Sequence, residues 1–510
     1  MFNKYTEVDP WKIIERGWNA ENHPKSESLF SIGNGRMGQR ANFEETYTGE
    51  SLQGSYIAGV YYPDKTRVGW WKNGYPEYFA KVLNSCDWVG ITVTIDGEVV
   101  DLNTASSVDQ FYRELDMQRG VLLRTMEVTL ASGKRIRVRA ERFVSIVRDE
   151  IGAISYSVTP LNFSGDITLC PHLDFDVKNE DSNYDEKFWD AVSGGQFNGT
   201  SYVHAKTKKT GFEVSVAMRN SLTLDGQNNA WTASSDAKHM FVSECTKTAV
   251  AEGQTLRLDK FVAVLSSMNH ASGDLDTSAT QLALKAQEAG YDTLLAEQQN
   301  AWATKWETSD IEIEGDAEAQ QGIRFNIFHM NQTFTGVDDR LNIGPKGFTG
   351  EKYGGSTYWD TEAYCLPFYL ATAQPEVAKN LCLYRYKQLG KAIENAEKLG
   401  FTGGAALYPM VTMNGEECHN EWEITFEEIH RNAAIAYGVY NYVRHTEDWS
   451  YLAEAGAEVL LGISRFWAQR VNWSQQKQAY VMLGVTGPNE YENNINNNWY
   501  TNRMAAWTLE

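Results

Sequence analysis

A chain of 510 residues is longer than one hydrophobic core normally supports, so its length predicts roughly two to four domains. Its formal net charge of −21 argues against nucleic acid or an anionic membrane surface as a partner. The amino terminus carries no signal-peptide pattern, and no run of about 18 apolar residues predicts a membrane span. We therefore expect a cytoplasmic protein.

The six cysteines are scattered without the CxxC spacing of a metal site or redox motif. In a cytoplasmic chain of this size, reduced thiols are the expected state, rather than a disulfide framework. The aromatic content is high, with 16 Trp, 26 Tyr and 21 Phe. Most of these rings must be core, but Trp and Tyr also suit sugar rings, whose C–H faces stack on aromatic side chains.

Residues from about 30 to 270 predict an antiparallel β-sandwich. The alternating run 91–95 leads into Asp96-Gly97, a dipeptide typical of a β-hairpin turn, and other alternating runs follow along this part of the chain. Many antiparallel strands over such a length are typical of a large sandwich. The early cluster 33–38 is interpreted as a turn, because no strand–turn–helix context for a dinucleotide fingerprint surrounds it.

From about residue 275 the apolar residues recur at helical spacing, and residues 271–318 are interpreted as a helical linker packed between two domains. Six helices are then predicted up to the last residue. The links after the first, third and fifth helices are long, at roughly 336–357, 401–426 and 471–496. Since successive helices run antiparallel, this alternation places the long links on one face, as in a toroid of paired helices.

The first long link leads into Trp359-Asp360, which offers a flat ring for a sugar and a carboxylate for two neighbouring hydroxyl groups. A structural alternative places Trp359 in the core and Asp360 at the cap of the next helix. The glycines and the lysine of this link do not predict a phosphate-binding P-loop, because Gly-Lys-Ser/Thr is absent and no strand precedes them.

The second long link contains five glutamates and one histidine between residues 416 and 427. Charge-dense loops are usually solvated and the HExxH spacing is absent, so a metal site is disfavoured. Trp422 among these carboxylates suits a polyol better than a hard cation.

The third long link holds Glu490 between Pro488 and Tyr491 in a stretch with no regular helix or strand pattern. A carboxyl group beside apolar and aromatic groups has a raised pKa, which suits a general acid. The alternative is an asparagine-rich helix cap with solvated glutamates. The presence of aromatic and acidic residues in the other two links favours the proton donor.

Three motifs resemble glycoside hydrolase family 65, namely RLNIGPKG at 340–347, YWDTE at 358–362 and TGPNEY at 486–491. The resemblance extends from the predicted sandwich to the last residue. It implies a multidomain β + α fold with an N-terminal antiparallel β-sandwich (1–270), a helical linker (271–318) and the first half of a catalytic (α/α)6 barrel (319–510).

Matched motifs imply the roles of the site residues. Glu490 is the expected general acid, and Trp359 and Asp360 are expected to bind the non-reducing glucose. The loop 419–427 is expected to contact the departing sugar and to select the linkage. Its expected substrate-binding residues are His419, Asn420, Glu421 and Glu423. Family members usually carry Asp directly before the acid, where this chain has Asn489.

The resemblance further implies inverting phosphorolysis of an α-glucosidic disaccharide, with maltose and phosphate giving β-glucose 1-phosphate and glucose. Inorganic phosphate is the co-substrate, and no metal or organic cofactor is expected. The alternatives are trehalose, kojibiose or nigerose as substrate, an α-glucoside hydrolase of the same family, or a non-catalytic glycan-binding protein. The family is commonly dimeric, so the resemblance also allows a homodimer, although the sequence does not determine the oligomeric state.

The sequence ends inside a helical pattern, after six of the twelve helices that an (α/α)6 barrel requires. We therefore expect a fragment that lacks the phosphate-binding residues of the family. Such a fragment is expected to be inactive alone.

Overall fold

Antiparallel strands build the first part of the chain and helices the last part. The computed structural model describes residues 5–65, 78–180, 186–418 and 424–510. The chain forms two compact units. The first unit comprises Met1–Val60, Leu83–Phe334 and Gly347–Glu351, and the second comprises Tyr61–Val82, Thr335–Lys346 and Lys352–Glu510. The domain limits given above remain predictions.

The strands are β1 (Thr6–Asp9), β2 (Lys12–Arg16), β3 (Ile32–Gly33), β4 (Met37–Gln39), β5 (Ser55–Ile57), β6 (Tyr61–Lys65), β7 (Tyr78–Val82), β8 (Ile91–Ile95), β9 (Glu98–Val99), β10 (Ser107–Asp116), β11 (Val121–Thr129), β12 (Arg135–Val144), β13 (Ile151–Pro160), β14 (Gly165–Asp174), β15 (Trp189–Phe197), β16 (Thr200–Thr207), β17 (Glu213–Leu224), β18 (Gln227–Asn229), β19 (Ser234–Lys238), β20 (Phe241–Val250), β21 (Leu256–Ser266), β22 (Asn472–Ser474) and β23 (Ala479–Val481).

The helices are α1 (His23–Leu29), α2 (Leu275–Ala289), α3 (Tyr291–Ser309), α4 (Ala317–Thr333), α5 (Leu366–Thr372), α6 (Pro375–Lys387), α7 (Leu389–Lys398), α8 (Ile424–Glu427), α9 (Arg431–Thr446), α10 (Trp449–Tyr451), α11 (Ala457–Arg470) and α12 (Trp499–Leu509). Single turns of 3-10 helix lie at Ala20–Asn22 and Ser272–Asp274, and π-helical turns at Thr361–Cys365 and Leu452–Gly456.

The first unit is an antiparallel β-sandwich, as predicted. Its larger sheet has 11 strands in the order β1-β2-β10-β11-β12-β13-β21-β17-β16-β15, with β18 beside β17. A 5-stranded sheet, β19-β20-β14-β8-β9, packs against the β15–β17 end. The predicted hairpin joins β8 to β9, with Asp96 and Gly97 both at positive φ as this turn requires. The cluster 33–38 forms the turn between β3 and β4.

Side-chain alternation along the strands gives the large sheet two different faces. On one face, Lys260 of β21 donates to the carbonyl of His172 in β14, and Asn220 of β17 donates to Glu244 in β20. On the other face, Ala217 and Ala263 pack under α2 and α3 in one hydrophobic core. The segment predicted as a linker therefore forms two helices, broken at Gly290, that cover the sheet of their own unit.

The helices predicted after the linker are present in the structure. The first is α4, which belongs to the first unit. The second is α5 with the π-helical turn before it, and the third is divided into α6 and α7 at Gln388. The fourth is α9, the fifth runs from α10 to α11 through the second π-helical turn, and the sixth is α12.

One cysteine pair contradicts the expectation of reduced thiols. Cys170 of β14 and Cys245 of β20 form a disulfide, with their Cα atoms 4.1 Å apart. These strands are neighbours in the 5-stranded sheet, and their antiparallel register places the two cysteines opposite each other. The four other cysteines are free thiols. None of the helices within the described ranges is both long and apolar enough to cross a membrane.

Candidate functional site

The three long loops of the second unit are joined to one another by backbone hydrogen bonds. The amide of Thr357, at the end of the first loop, donates to the carbonyl of Thr412 in the second at 2.8 Å, and the reverse bond measures 3.2 Å. The amide of Thr486 in the third loop donates to the carbonyl of Glu427 in the second at 3.0 Å. The alternation of long and short links predicts this meeting of the loops.

Trp359 and Asp360 lie where the first loop enters the helix that ends in α5. The helix begins with the π-helical turn, in which the amide of Leu366 donates to the carbonyl of Thr361. Such turns often occur at functional sites. Asp360 makes no side-chain capping bond, and Trp359 is half-buried rather than core. The structure therefore does not show the capping arrangement that the sequence left open.

A buried ion pair fixes this helix start. Arg385 of α6 donates from Nε and Nη2 to the two oxygens of Glu362 at 2.6 and 3.0 Å. Its Nη2 also reaches the carbonyl of Tyr358 at 3.4 Å. Both side chains are almost inaccessible to water. A bidentate pair in such surroundings holds the backbone on either side of Trp359 and Asp360 in one geometry.

Trp359 lines a cavity of about 530 Å³ within the second unit. Aromatic rings dominate its wall, which includes Tyr364, Tyr437, Tyr440, Tyr500 and Trp507. Two cationic side chains, Arg444 and Arg503, also border it. Flat rings with a few polar groups suit a sugar, which presents apolar faces and polar edges.

His430 lies directly beside Trp359, Glu428 lies beside His430, and the sequence analysis missed both. The His430 ring packs edge-on against Trp359 and Tyr500, with ring centroids 4.8 and 5.3 Å apart. Its Nε2 lies 3.3 Å from Oε1 of Glu428. Glu428 is 1% exposed and His430 is 0% exposed. A histidine two residues after a glutamate, at the start of a predicted helix, was the available signal.

The charges of Glu428 and His430 affect the pKa of Asp360. Asp360 is exposed, yet the surrounding protein removes enough water from its carboxyl group to raise its pKa. The negative charge of Glu428 raises that pKa further, while His430 acts in the opposite direction. Asp360, Glu428 and His430 therefore form one electrostatic group around Trp359.

The turn that carries Glu428 is held by Arg431. This buried guanidinium donates to the carbonyls of Thr425, Glu428 and Tyr408 at 2.8, 3.0 and 2.6 Å. The neighbouring Glu427 turns toward the third loop, where its Oε2 accepts from Thr486 Oγ1 at 2.8 Å and from the Asn494 amide at 2.7 Å. The two consecutive glutamates therefore have different surroundings. Glu427 anchors the third loop, whereas Glu428 lies beside His430.

Glu490 lies at the tip of the third loop. The base of the loop is closed by paired backbone bonds between Val485 and Ile495 at 2.8 and 2.9 Å. Glu490 and Pro488 are exposed, and Tyr491 is 98% exposed. The prediction that these neighbours bury the carboxyl group is therefore wrong, because a loop tip turns them outward. Asn498 caps α12, so part of the asparagine-rich stretch is indeed a helix cap.

The second loop is only partly described. His419, Asn420, Glu421 and Glu423 lie outside the described residues. Glu417 accepts from the amides of Met410 and Val411 at 2.7 and 3.2 Å and so shapes the loop itself. Glu416 is exposed beside Lys391. These two glutamates have local partners.

Two family profiles match this chain, one in each part of the sequence. Residues 13–305 match the sequence profile "Glycosyl hydrolase family 65, N-terminal domain", and residues 324–510 match "Glycosyl hydrolase family 65 central catalytic domain". A maltose phosphorylase from Bacillus subtilis is 50% identical over 509 residues, covering 99% of this chain and 66% of that protein. An alpha,alpha-trehalose phosphorylase from Thermoanaerobacter brockii is 33% identical over 98% of this chain and 65% of its own length.

A solved structure described as "Putative kojibiose phosphorylase from human microbiome" superposes with a TM-score of 0.91 at 29% sequence identity, covering 99% of this chain and 65% of that one. The chain thus spans about two thirds of the length of these relatives. Both halves of the match, together with the three motifs, lead to one conclusion: the chain belongs to glycosyl hydrolase family 65.

Proposed function

We propose that this chain supplies the glucose-binding and proton-donating part of an inverting disaccharide phosphorylase whose substrate is maltose. The products are β-glucose 1-phosphate and glucose. The observation that carries this proposal is the 50% identity to the Bacillus subtilis maltose phosphorylase over 509 residues. The trehalose, kojibiose and nigerose phosphorylases reach 27 to 33%.

The proposed architecture is the first half of an (α/α)6 barrel over residues 319–510. Alternating long and short links support it, because they bring the three chemically rich loops together at one end. Phosphate-binding residues are not assigned to this chain.

In the proposed mechanism, Glu490 protonates the glycosidic oxygen while phosphate attacks the anomeric carbon from the opposite face. The proton moves from the carboxyl group to the departing glucose, and the anomeric configuration inverts. Phosphate is already anionic, so it requires positioning by cations and hydrogen-bond donors rather than activation by a base. No metal or organic cofactor takes part in these steps.

Trp359 provides the stacking surface for the non-reducing glucose, and Asp360 accepts hydrogen bonds from its hydroxyl groups. The aromatic cavity beside Trp359 and the fixed helix start support these roles. His419, Asn420, Glu421 and Glu423 are proposed to contact the departing sugar. A homodimer and a cytoplasmic location remain predictions.

The test is an assay with four disaccharides, maltose, trehalose, kojibiose and nigerose, in the presence and absence of phosphate. It uses the 510-residue chain and an extended enzyme, in which these residues are followed by the part of the Bacillus subtilis maltose phosphorylase that they do not match. We expect phosphate-dependent cleavage of maltose by the extended enzyme and none by the short chain. Comparable turnover by the short chain would refute the requirement for a full barrel.

The other outcomes separate the alternatives. Cleavage without phosphate would indicate an α-glucoside hydrolase, and preference for another disaccharide would change the linkage. Sugar binding without cleavage by the extended enzyme would indicate a glycan-binding protein.

A further inference from the structure

The pair Glu428–His430 combines deep burial with missing hydrogen bonds. Neither oxygen of Glu428 and neither ring nitrogen of His430 has a hydrogen-bond partner in the part of the chain that the structure describes. The 3.3 Å contact between them lacks hydrogen-bond alignment. A buried carboxylate without donors is strongly disfavoured, so the missing hydrogen bonds require an explanation, and a bound ligand is one that this site can accommodate.

The surroundings of Glu428 identify the kind of ligand. Asp360 adds a second negative charge, which disfavours an anion bound directly to the Glu428 carboxylate. The described residues contain no cluster of three ligating side chains that could hold a metal ion. The Trp359 ring packs against His430, and it also lines the aromatic cavity. A neutral molecule with an apolar face and several hydroxyl donors fits this combination.

The backbone around Glu428 is fixed before any ligand binds. Arg431 holds the carbonyls on both sides of the turn, and Glu427 ties the same turn to the third loop. Little conformational entropy is therefore lost when a hydroxyl group binds to the Glu428 carboxylate.

We propose that Glu428 is a sugar-binding residue, whose carboxylate accepts hydrogen bonds from hydroxyl groups of the glucose that stacks on Trp359. His430 is a positioning residue, because it contacts both the Trp359 ring and the Glu428 carboxylate and so fixes their relative positions. Asp360 and Glu428 then hold two parts of the same sugar. This inference rests on the proposed function, since it concerns the same glucose site.

The test uses Glu428→Gln, which preserves shape and removes the charge, in the extended enzyme. Wild-type phosphorolysis of maltose is measured first, because its absence would refute the proposed function and not the role of Glu428. With an active wild type, we expect the KM for maltose to rise about 10- to 100-fold in the variant, as for loss of a hydrogen bond to a charged group.

A second readout distinguishes binding from structure. Removing a buried charge that lacks donors should raise the melting temperature of the sugar-free protein, while the added stabilisation by maltose should shrink. The matched control is Glu44→Gln, since Glu44 is equally buried but fully paired with Arg124 and Arg142. That control should lower the melting temperature and leave the KM unchanged.

Deoxy sugars locate the contact. If Glu428 accepts from one hydroxyl group, the maltose analogue that lacks this group should bind to the wild type more weakly than maltose does. In Glu428→Gln, the same analogue and maltose should bind equally well. An unchanged KM in Glu428→Gln, with a melting temperature that falls as in Glu44→Gln, would overturn the proposal. The same holds if every deoxy analogue loses equal affinity in both proteins.

Discussion

Two buried carboxylates, one in each unit, have opposite surroundings. Glu44 accepts from Arg124 Nη2 at 2.6 Å and from Arg142 Nη1 at 2.5 Å. Burial alone would raise its pKa, but the two arginine charges outweigh this effect and lower it. Glu428 is just as buried, and neither of its oxygens has a hydrogen-bond partner among the described residues, although His430 lies 3.3 Å away. A paired buried charge is costly to disrupt, whereas an unpaired one requires a specific explanation, such as a bound ligand.

This comparison predicts that substitutions in the ion-pair cluster around Glu44 lower the stability of the fold. Substitutions around the candidate site should instead lower activity. The largest functional effect is expected at Glu490. Glu490→Gln in the extended enzyme should lower kcat about 100- to 10,000-fold, because the leaving glucose loses its proton donor. The KM for maltose should change little, and melting should not change. Steady-state kinetics provide the measurement.

The control for this substitution is Glu492→Gln, since Glu492 is exposed in the same loop. It should retain wild-type turnover. Equal turnover in both variants would remove Glu490 from the mechanism.

The largest stability effect is expected at Arg124. Its guanidinium pairs with Glu44 and, through two bonds of 2.6 Å, with the buried Glu45. Arg124→Met leaves a buried carboxylate without a cation and should lower the free energy of unfolding by about 3–5 kcal/mol. Arg16→Met is the control, because Arg16 is exposed and pairs with the equally exposed Glu7. It should cost much less stability than Arg124→Met. Urea titrations that show equal losses would contradict the distinction.

A pair of aspartates at helix starts gives a smaller contrast. Asp316 caps α4 by accepting from the Ala319 amide at 2.9 Å, whereas Asp360 makes no capping bond. Asp316→Ala should therefore lower the free energy of unfolding by about 0.5–2 kcal/mol and leave the KM unchanged. Asp360→Ala should raise the KM for maltose about 10- to 100-fold with little loss of stability. A reversed pattern, measured by kinetics and thermal melting, would assign Asp360 to the cap.

The smallest effect concerns pH. Burial acts to raise the pKa of Glu27, but the close contact with His23 and hydrogen bonds from Ser51 and the Leu52 amide lower it from 4.5 to about 2. A carboxyl group with a lowered folded-state pKa contributes stability above its unfolded value, and this contribution is lost as the pH falls from 4.5 to about 2. Glu27→Gln should therefore flatten the decline of stability in this window. An unchanged slope in acid unfolding curves would contradict this role.

The sequence predicts those features of the fold that depend on local chemistry. Asp96-Gly97 marks a hairpin because its turn requires positive φ at both positions, and the spacing of the helices predicts that the long loops meet. The Trp359-Asp360 pair is predicted as part of the site because a flat ring and a carboxylate stand next to each other in the sequence.

Long-range contacts were not accessible in the same way. Cys170 and Cys245 are joined by strand register, and no spacing rule relates residues that are 75 positions apart. Glu428 and His430 become candidate site residues only because the fold brings them close to Trp359 and Asp360. Glu490 shows the opposite error, since its sequence neighbours predicted burial and the loop geometry exposes them.

The most direct test of the proposed activity is the anomeric configuration of the sugar phosphate formed from maltose. The extended enzyme is incubated with maltose and inorganic phosphate, and the first product is observed by proton and phosphorus NMR before it equilibrates. We predict β-glucose 1-phosphate together with one equivalent of glucose. Formation of the α anomer, or of glucose alone at the same rate without phosphate, would contradict the account.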